Sequence, residues 1–286
     1  MKETVMYQIT ETSNFMMSFV IITKNNNAIV IDGGRPADMP LLKEYIGGRH
    51  ISAWILTHAH DDHIGGFVSE FKKNGGADFD IEKIYYNFPS FEALNNPNVS
   101  NYEFYKWELM ETLPSFNEVL PMFQEKTHIT TQGESIQIDE VKIDFIFSYH
   151  EGLTSNLMND SSLVFKVITP NKTVLFLGDL GPDGGDVLYF ESRDLLKADM
   201  VQMAHHGGLG VSMEVYAAIE PKACLWCCRE ESYNGTWVPG VMYNKEQLKR
   251  QGWIRMRELL VTRRWMEQLG VKEHYVTKDG TQRIVL

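Results

Sequence analysis

Cysteine is scarce: three residues in 286, all within Cys224-Leu225-Trp226-Cys227-Cys228. Three clustered thiols cannot build a disulfide framework, and Cys224-x-x-Cys227 has no second C-x-x-C to close a four-sulfur zinc site. The segment follows Pro221 and reads as a buried strand, where free cysteine behaves as a small hydrophobe. Nothing here asks for disulfides, so a cytoplasmic setting is the expectation. Long apolar runs are also missing, and those present fall far short of the ~20 residues a helix needs to cross a bilayer. No basic start is followed by an apolar stretch of the secretory type, and no membrane partner is expected. Positive charge is in short supply, with 27 Lys and Arg against 38 Asp and Glu and a formal net charge of −11. Such a chain repels long polyanions, which argues against nucleic acid as a partner. The basic island from Lys245 to Trp265 (Lys245, Lys249, Arg250, Arg255, Arg257, Arg263 and Arg264 against Glu246 and Glu258) reads as the solvated face of a helix, with steering of a small anion as the alternative. The glycine-rich run Gly178 to Gly185 lacks both a P-loop lysine and G-x-G-x-x-G spacing, so it is not a nucleotide cradle. There is no short-period repeat and no low-complexity segment.

What is present is a layered alternation of strands and helices. Val5 to Ile9, Phe15 to Thr23 and Ala28 to Ile31 are β-rich, with Asn25-Asn26-Asn27 as a turn. Pro40 to Ile46 reads as a helix closed by Gly47-Gly48, Ile51 to Leu56 as a strand, and Gly65 to Lys73 as the helix after it. Ile81 to Asn87 looks like another strand. The second half repeats the plan. Its strands are Ser135 to Ile138, Val141 to Phe147, Ser162 to Ile168, Thr173 to Leu177, Ala198 to Met203 and Lys222 to Cys228. Its helices are Gly185 to Leu196, Ser212 to Ile219 and part of Glu246 to Leu269, and two short strands lie in Tyr275 to Leu286. Between the halves, about 88–131 is crowded with aromatics (Phe88, Phe91, Tyr102, Phe104, Tyr105, Trp107, Phe116). Tyr102 to Leu113 has a helical look. This is read as an insertion into a single domain, either a packing helix or a cover over one side of the site.

The densest chemistry is Thr57-His58-Ala59-His60-Asp61-Asp62-His63-Ile64-Gly65-Gly66. Imidazole and carboxylate are ligands for zinc and related transition metals, and a buried cluster of this kind is costly without a cation. His58 and His60 are two apart, so on an extended backbone both point to one side. Asp62 and His63 sit where the chain turns into a helix.

This spacing resembles the H-x-H-x-D-H signature of the metallo-β-lactamase superfamily, with Asp61 as the variable residue. Leu175-Phe176-Leu177-Gly178-Asp179 is similar to the strand ending in the family's bridging aspartate, and Met203-Ala204-His205-His206-Gly207-Gly208 to its late histidine motif. The resemblance implies an α/β fold, a four-layer αββα sandwich. It also implies two divalent cations, zinc first, with manganese or iron as alternatives. His58 and His60 would hold one and Asp62 and His63 the other, with Asp179 between them. One of His205 and His206 would complete the second site, with a slight preference for His205. Asp62, Asp179 and His206 are the residues expected to act in catalysis. Asp32 before Gly33-Gly34 is expected to support the histidine loop, and Asn234 in Tyr233-Asn234-Gly235 to border the site or simply to turn the chain. Many members carry a histidine as third ligand of the first ion, and this chain departs from that pattern. Asn159-Asp160-Ser161-Ser162-Leu163-Val164-Phe165 stands there instead, in the style of the competence DNA-uptake proteins and phosphorylcholine esterases. His150 and Asp160 are the candidates for the missing ligand, with capping of a strand end as the alternative for His150.

The expected activity is hydrolysis by a metal-activated water, on a phosphodiester or a phosphate-linked, anionic small molecule. A lactone or thioester is the alternative substrate, and a non-catalytic metal-dependent sensor on the same scaffold is the alternative class. His60, where a glutamate often stands in the di-iron flavoproteins, argues against that branch. Neither substrate identity nor oligomeric state is written in the sequence.

Overall fold

A computed structural model of the chain describes residues 3–12, 15–99, 106–235 and 258–286, and side chains of 106–110 are left aside. Fourteen strands are found among the described residues, in two seven-stranded sheets. The first sheet contains β1 (Val5–Gln8), β2 (Ser18–Ile22), β3 (Ala28–Asp32), β4 (Ile51–Ile55), β5 (Ile84–Tyr86), β6 (Thr127–Ile129) and the last strand, β14 (Gln282–Val285). Its order is β14-β1-β2-β3-β4-β5-β6. The second contains β7 (Ser135–Ile138), β8 (Val141–Phe147), β9 (Val164–Ile168), β10 (Thr173–Phe176), β11 (Met200–Gln202), β12 (Ala223–Trp226) and β13 (Glu273–Val276), in reverse numerical order. Each sheet begins as an antiparallel meander and continues as parallel strands from β3 and β10 onward.

Alternation explains the layering. In β3, Ile29 and Ile31 belong to the core between the sheets, while Ala28 and Val30 belong to the core under the helices. Strands buried on both faces are apolar throughout, as expected for parallel segments covered by helices. Phe19 meets Phe176 across the sheets with ring centroids 5.0 Å apart. Outside the first sheet lie α1 (Met39–Ile46), α2 (Asp61–Asn74), α3 (Phe91–Leu94) and α4 (Lys106–Val119). With the second sheet go α5 (Leu157–Asp160), α6 (Pro182–Ser192), α7 (Met213–Ile219), α8 (Glu230–Asn234) and a helix at 258–268, α9. The result is the αββα sandwich.

Several boundaries differ from the sequence reading. Helix α2 begins at Asp61, not Gly65. Glycine is a poor helix former, but Gly66 is needed where it stands, because a Cβ there would lie 2.6 Å from the Gly33 carbonyl oxygen. Asp61 and Asp62 in the first turn complement the exposed N–H groups of the helix start. Helix α6 likewise starts early, at Pro182, a residue suited to a first helical position. Helix α4 runs through Pro114 to Val119. Its Phe116 packs with Phe88, Tyr86 and Phe123, and through Phe67 and Phe123 against α2. Tyr102, Phe104, Tyr105, the Trp107 side chain and most of the basic island lie outside the described residues.

Candidate metal centre

The parallel strands carry chemistry at their carboxyl ends, where an open α/β arrangement leaves a crevice. Strand β3 ends in Asp32, whose φ of 53° is left-handed. That turn brings its carbonyl to Trp54 Nε1 (2.9 Å) and its carboxylate to Thr57, which donates from its backbone N (2.7 Å) and its Oγ1 (2.8 Å). The same carboxylate lies 2.7 Å from His63 Nδ1. Asp32 therefore ties together the end of β3, the loop after β4 and the first turn of α2. A proton held on His63 Nδ1 by this carboxylate leaves Nε2 as the free lone pair.

The other half contributes from three strand ends. Asp179 follows β10, and its N–H donates to Ser162 Oγ (3.0 Å). His205 and His206 follow β11 and both are left-handed, with φ/ψ of 51°/50° and 56°/16°. Such a conformation costs a non-glycine residue about 1–3 kcal/mol, so two in succession persist only where the surroundings hold them. The His205 N–H donates to the Gly178 carbonyl (3.1 Å), and His206 Nδ1 lies 2.8 Å from the Cys227 carbonyl. A carbonyl can only accept, which fixes the proton on Nδ1 and turns His206 Nε2 inward.

The side chains converge. Asp179 reaches His63 Nε2 at 3.2 Å, His206 Nε2 at 3.6 Å, His205 Nε2 at 3.8 Å and His58 Nε2 at 3.9 Å. His206 Nε2 is 3.2 Å from Asp62, and His58 Nε2 is 3.0 Å from His60 Nδ1. Among the described residues, two groups have metal-binding spacing, His58-His63-Asp179 and Asp62-His63-His206, with His63 common to both. His63 Nε2, Asp179 Oδ1 and His206 Nε2 are buried with only these ligand-to-ligand approaches and no well-aligned hydrogen bond among the described residues. Buried polar atoms are normally satisfied, and three orphans facing one another fit a bound cation.

Electrostatics divide the imidazoles. Burial, with His63 nearby, holds the His58 pKa well below the ordinary value. Burial opposes charge on His63 as well, yet the Asp179 and Asp32 carboxylates outweigh it and push His63 well above. Burial alone would raise Asp179, but His63, His206 and His205 hold it well below. Asp62 is held down similarly, against burial, by His206, His63 and Arg35. The guanidinium of Arg35 pairs with Asp61 and lies 3.8 Å from Asp62 at the rim. The Phe15 ring covers His206 at 5.5 Å.

His58, His60, Asp62, His63, Asp179, His205 and His206 are thus brought together, with Asp32 behind them. Of the two late histidines, His206 has the spacing to group with Asp62 and His63, and His205 Nε2 lies 3.8 Å from Asp179. His150 is half-exposed on the loop after β8, with Nε2 3.5 Å from Glu191 and Nδ1 accepting from the Gly152 N–H. Asp160 is buried but faces α6, where its Oδ1 accepts from the N–H groups of Gly181 (2.9 Å) and Gly184 (3.2 Å). Burial, with Asp183 adding to it, pushes its carboxyl up to about 7. Asn234 ends α8 before the left-handed Gly235, and its amide donates to Glu230, as a turn former would. The residue not singled out from the sequence is Asn159, fully buried, with neither amide atom hydrogen-bonded among the described residues.

A family model described as the metallo-beta-lactamase superfamily matches residues 16–221. No curated protein sequence matches the chain. Among solved structures, the metallo-beta-lactamase fold protein YhfI from Bacillus subtilis is similar, with a TM-score of 0.54 at 12% identity over 99% of this chain and 100% of that one. CmlA, a diiron β-hydroxylase from Streptomyces venezuelae, is similar with a TM-score of 0.56 at 13% identity over 100% of this chain and 55% of that one. The chain therefore spans about half the length of CmlA. At such identities the likeness is one of fold.

Proposed function

The chain belongs to the metallo-β-lactamase superfamily, and from that premise we propose that it is a metal-dependent hydrolase acting on a phosphodiester or phosphate-linked small molecule. The observation that carries this reading is the pair of ligand groups joined through His63, with orphaned atoms on His63, Asp179 and His206. His58 and His60 are assigned to one divalent cation and Asp62, His63 and His206 to the other, with Asp179 facing both. The all-imidazole and carboxylate donor set suits zinc, and manganese or iron after it. Bound there, a cation pair supplies Lewis-acid charge and brings the pKa of a water near neutrality.

The chain's own residues do the rest. Asp32 and the Cys227 carbonyl hold protons on the outer nitrogens of His63 and His206, so both rings present a lone pair without a tautomer change. Thr57 Oγ1, 3.1 Å from His58 Nδ1, helps to hold that ring. Phe15 keeps water from one face of His206. Arg35 offsets part of the carboxylate charge at the rim and offers a planar donor to a phosphate oxygen. That guanidinium, together with the Asn159-to-Phe165 segment, favours phosphate over lactone or thioester substrates.

The test is turnover of bis(p-nitrophenyl) phosphate, with metal content measured on the same preparation. The purified protein is expected to hold about two equivalents of metal. His60→Ala is expected to lower turnover at least ~100-fold with an unchanged fold. Full turnover in that variant would defeat the assignment. Hydrolysis of lactones or thioesters in place of phosphodiesters would move the substrate class, and a metal-free protein that binds a small molecule without turnover would support a sensor.

A further inference from the structure

The chain lacks the histidine that would give the first cation its third protein ligand, and neither His150 nor Asp160 supplies it. The turn α5 that occupies this place has a use for nearly every side chain. Leu157 and Met158 enter the apolar core. Asp160 caps the start of α6. Ser161 Oγ donates to the Met158 carbonyl (2.9 Å), and Ser162 Oγ accepts from the Asp179 N–H (3.0 Å). The exception is Asn159. It is 0% exposed, and neither Oδ1 nor Nδ2 has a hydrogen-bond partner among the described residues. Two orphaned atoms on one buried amide are costly.

This turn is seated on the strand ends that carry the site. The Ser162 N–H donates to the Asn159 carbonyl, and the next N–H, from Leu163, donates to the carbonyl of Thr57, immediately before His58 (both 2.9 Å). Gly178, before Asp179, is packed so closely here that a Cβ would lie 2.9 Å from Ser162 Cβ and 3.2 Å from Thr57 Cβ. Asn159 is thus one hydrogen bond from the residue that anchors Asp179. A neutral amide oxygen is an acceptable ligand for a cation that already has two imidazoles and a carboxylate.

We propose that Asn159 Oδ1 is the protein ligand that stands in for the missing histidine, completing the His58-His60 site. The inference rests on the two-cation reading above, and one experiment separates their failures. Metal content is measured on the full chain and on Asn159→Ala, Asn159→Asp and Asn159→His after dialysis against metal-free buffer, with zinc affinity from chelator competition. The unsubstituted chain is expected to hold about two equivalents and Asn159→Ala about one, the other ion binding about 10- to 100-fold more weakly. Asn159→Asp and Asn159→His are expected to restore the second equivalent. With the metal stripped, Asn159→Ala is expected to melt no lower than the parent, because it removes a buried amide that has no partner.

If the unsubstituted chain holds fewer than two equivalents, the two-cation reading falls and this proposal with it. If the chain and Asn159→Ala both hold two with equal affinity, the ligand role alone is overturned, even where turnover drops. A fall in the melting temperature of metal-stripped Asn159→Ala would also overturn it, since the amide would then be bonded within the folded protein.

Discussion

The two halves of the molecule share a plan, an antiparallel meander running into parallel strands, yet they load the site differently. The first half delivers His58, His60, Asp62 and His63 from one junction between β4 and α2, braced by a single carboxylate, Asp32. The second half delivers Asp179 from β10 and His205 and His206 from β11, with Cys227 after β12 bracing His206. The first half gains its density from geometry that helices and strands offer freely: an extended pair of histidines followed by a first helical turn. The second half must bend the backbone, with two successive histidines in the left-handed region. The concentrated candidate ligands leave the left-handed strain to their brace, Asp32, whereas the dispersed ones carry it in their own backbone and draw braces from neighbouring strands.

If this contrast is functional, removing the point where the halves meet has the largest effect. Asp179 faces His63 from the first half and His205 and His206 from the second. Asp179→Asn keeps the shape and removes the charge. Turnover of a phosphodiester is expected to fall about 10³-fold, with loss of bound metal by elemental analysis. Near-normal turnover would mean that the second half supplies only scaffold. Asp32→Asn tests the brace of the first half and should act more mildly. It leaves all proposed ligands in place but loosens the proton on His63 Nδ1, and cation affinity is expected to drop about 10- to 100-fold in a chelator competition. An unchanged affinity would show that the junction holds its own geometry.

The same contrast explains what could be read from the sequence. Strand alternation and the six-residue cluster of histidine and aspartate are local, so the sandwich and the candidate side chains of the first half were legible. The choice between His205 and His206 was not, because it depends on a backbone conformation that histidine rarely adopts and on a carbonyl from β12. His150 could not be placed because sequence distance from β8 does not say whether its ring turns inward or, as here, stays half-exposed beside Glu191. The start of α2 was hidden by Gly65-Gly66, which read as helix-weakening although Gly66 is required there by its close approach to Gly33. Asn159 stood in a motif already quoted, but its lack of partners becomes visible only once the chain is folded.

Asp160 and Asp179 sharpen the comparison further, since both are buried carboxylates of the second half. Asp179 faces imidazoles and is held low. Asp160 faces backbone N–H groups of α6, and burial raises it to about 7 from 3.8. A carboxyl raised on folding contributes stability that is fully present below its unfolded pKa and lost as pH rises through the folded one. The metal-stripped chain is therefore expected to lose on the order of a few kcal/mol from this group between about pH 4 and pH 7. Asp160→Asn keeps the acceptor for Gly181 and Gly184 without the charge. In urea titrations its stability relative to the parent should rise across that window and level off above it. A difference that does not vary with pH would mean that Asp160 is ionised and paired.

The smallest effect is expected at His150, which the sequence offered as a ligand and the fold places at the surface. Its ring is half-exposed, with Glu191 at 3.5 Å and the Gly152 N–H beside it. An exposed pair of this kind contributes at most about 1 kcal/mol. His150→Ala is expected to leave metal stoichiometry and turnover unchanged and the melting temperature within a few degrees. Loss of a metal equivalent in this variant would reverse the contrast between the halves, because the loop after β8 would then have to close over the His58-His60 site and supply the ligand assigned here to Asn159.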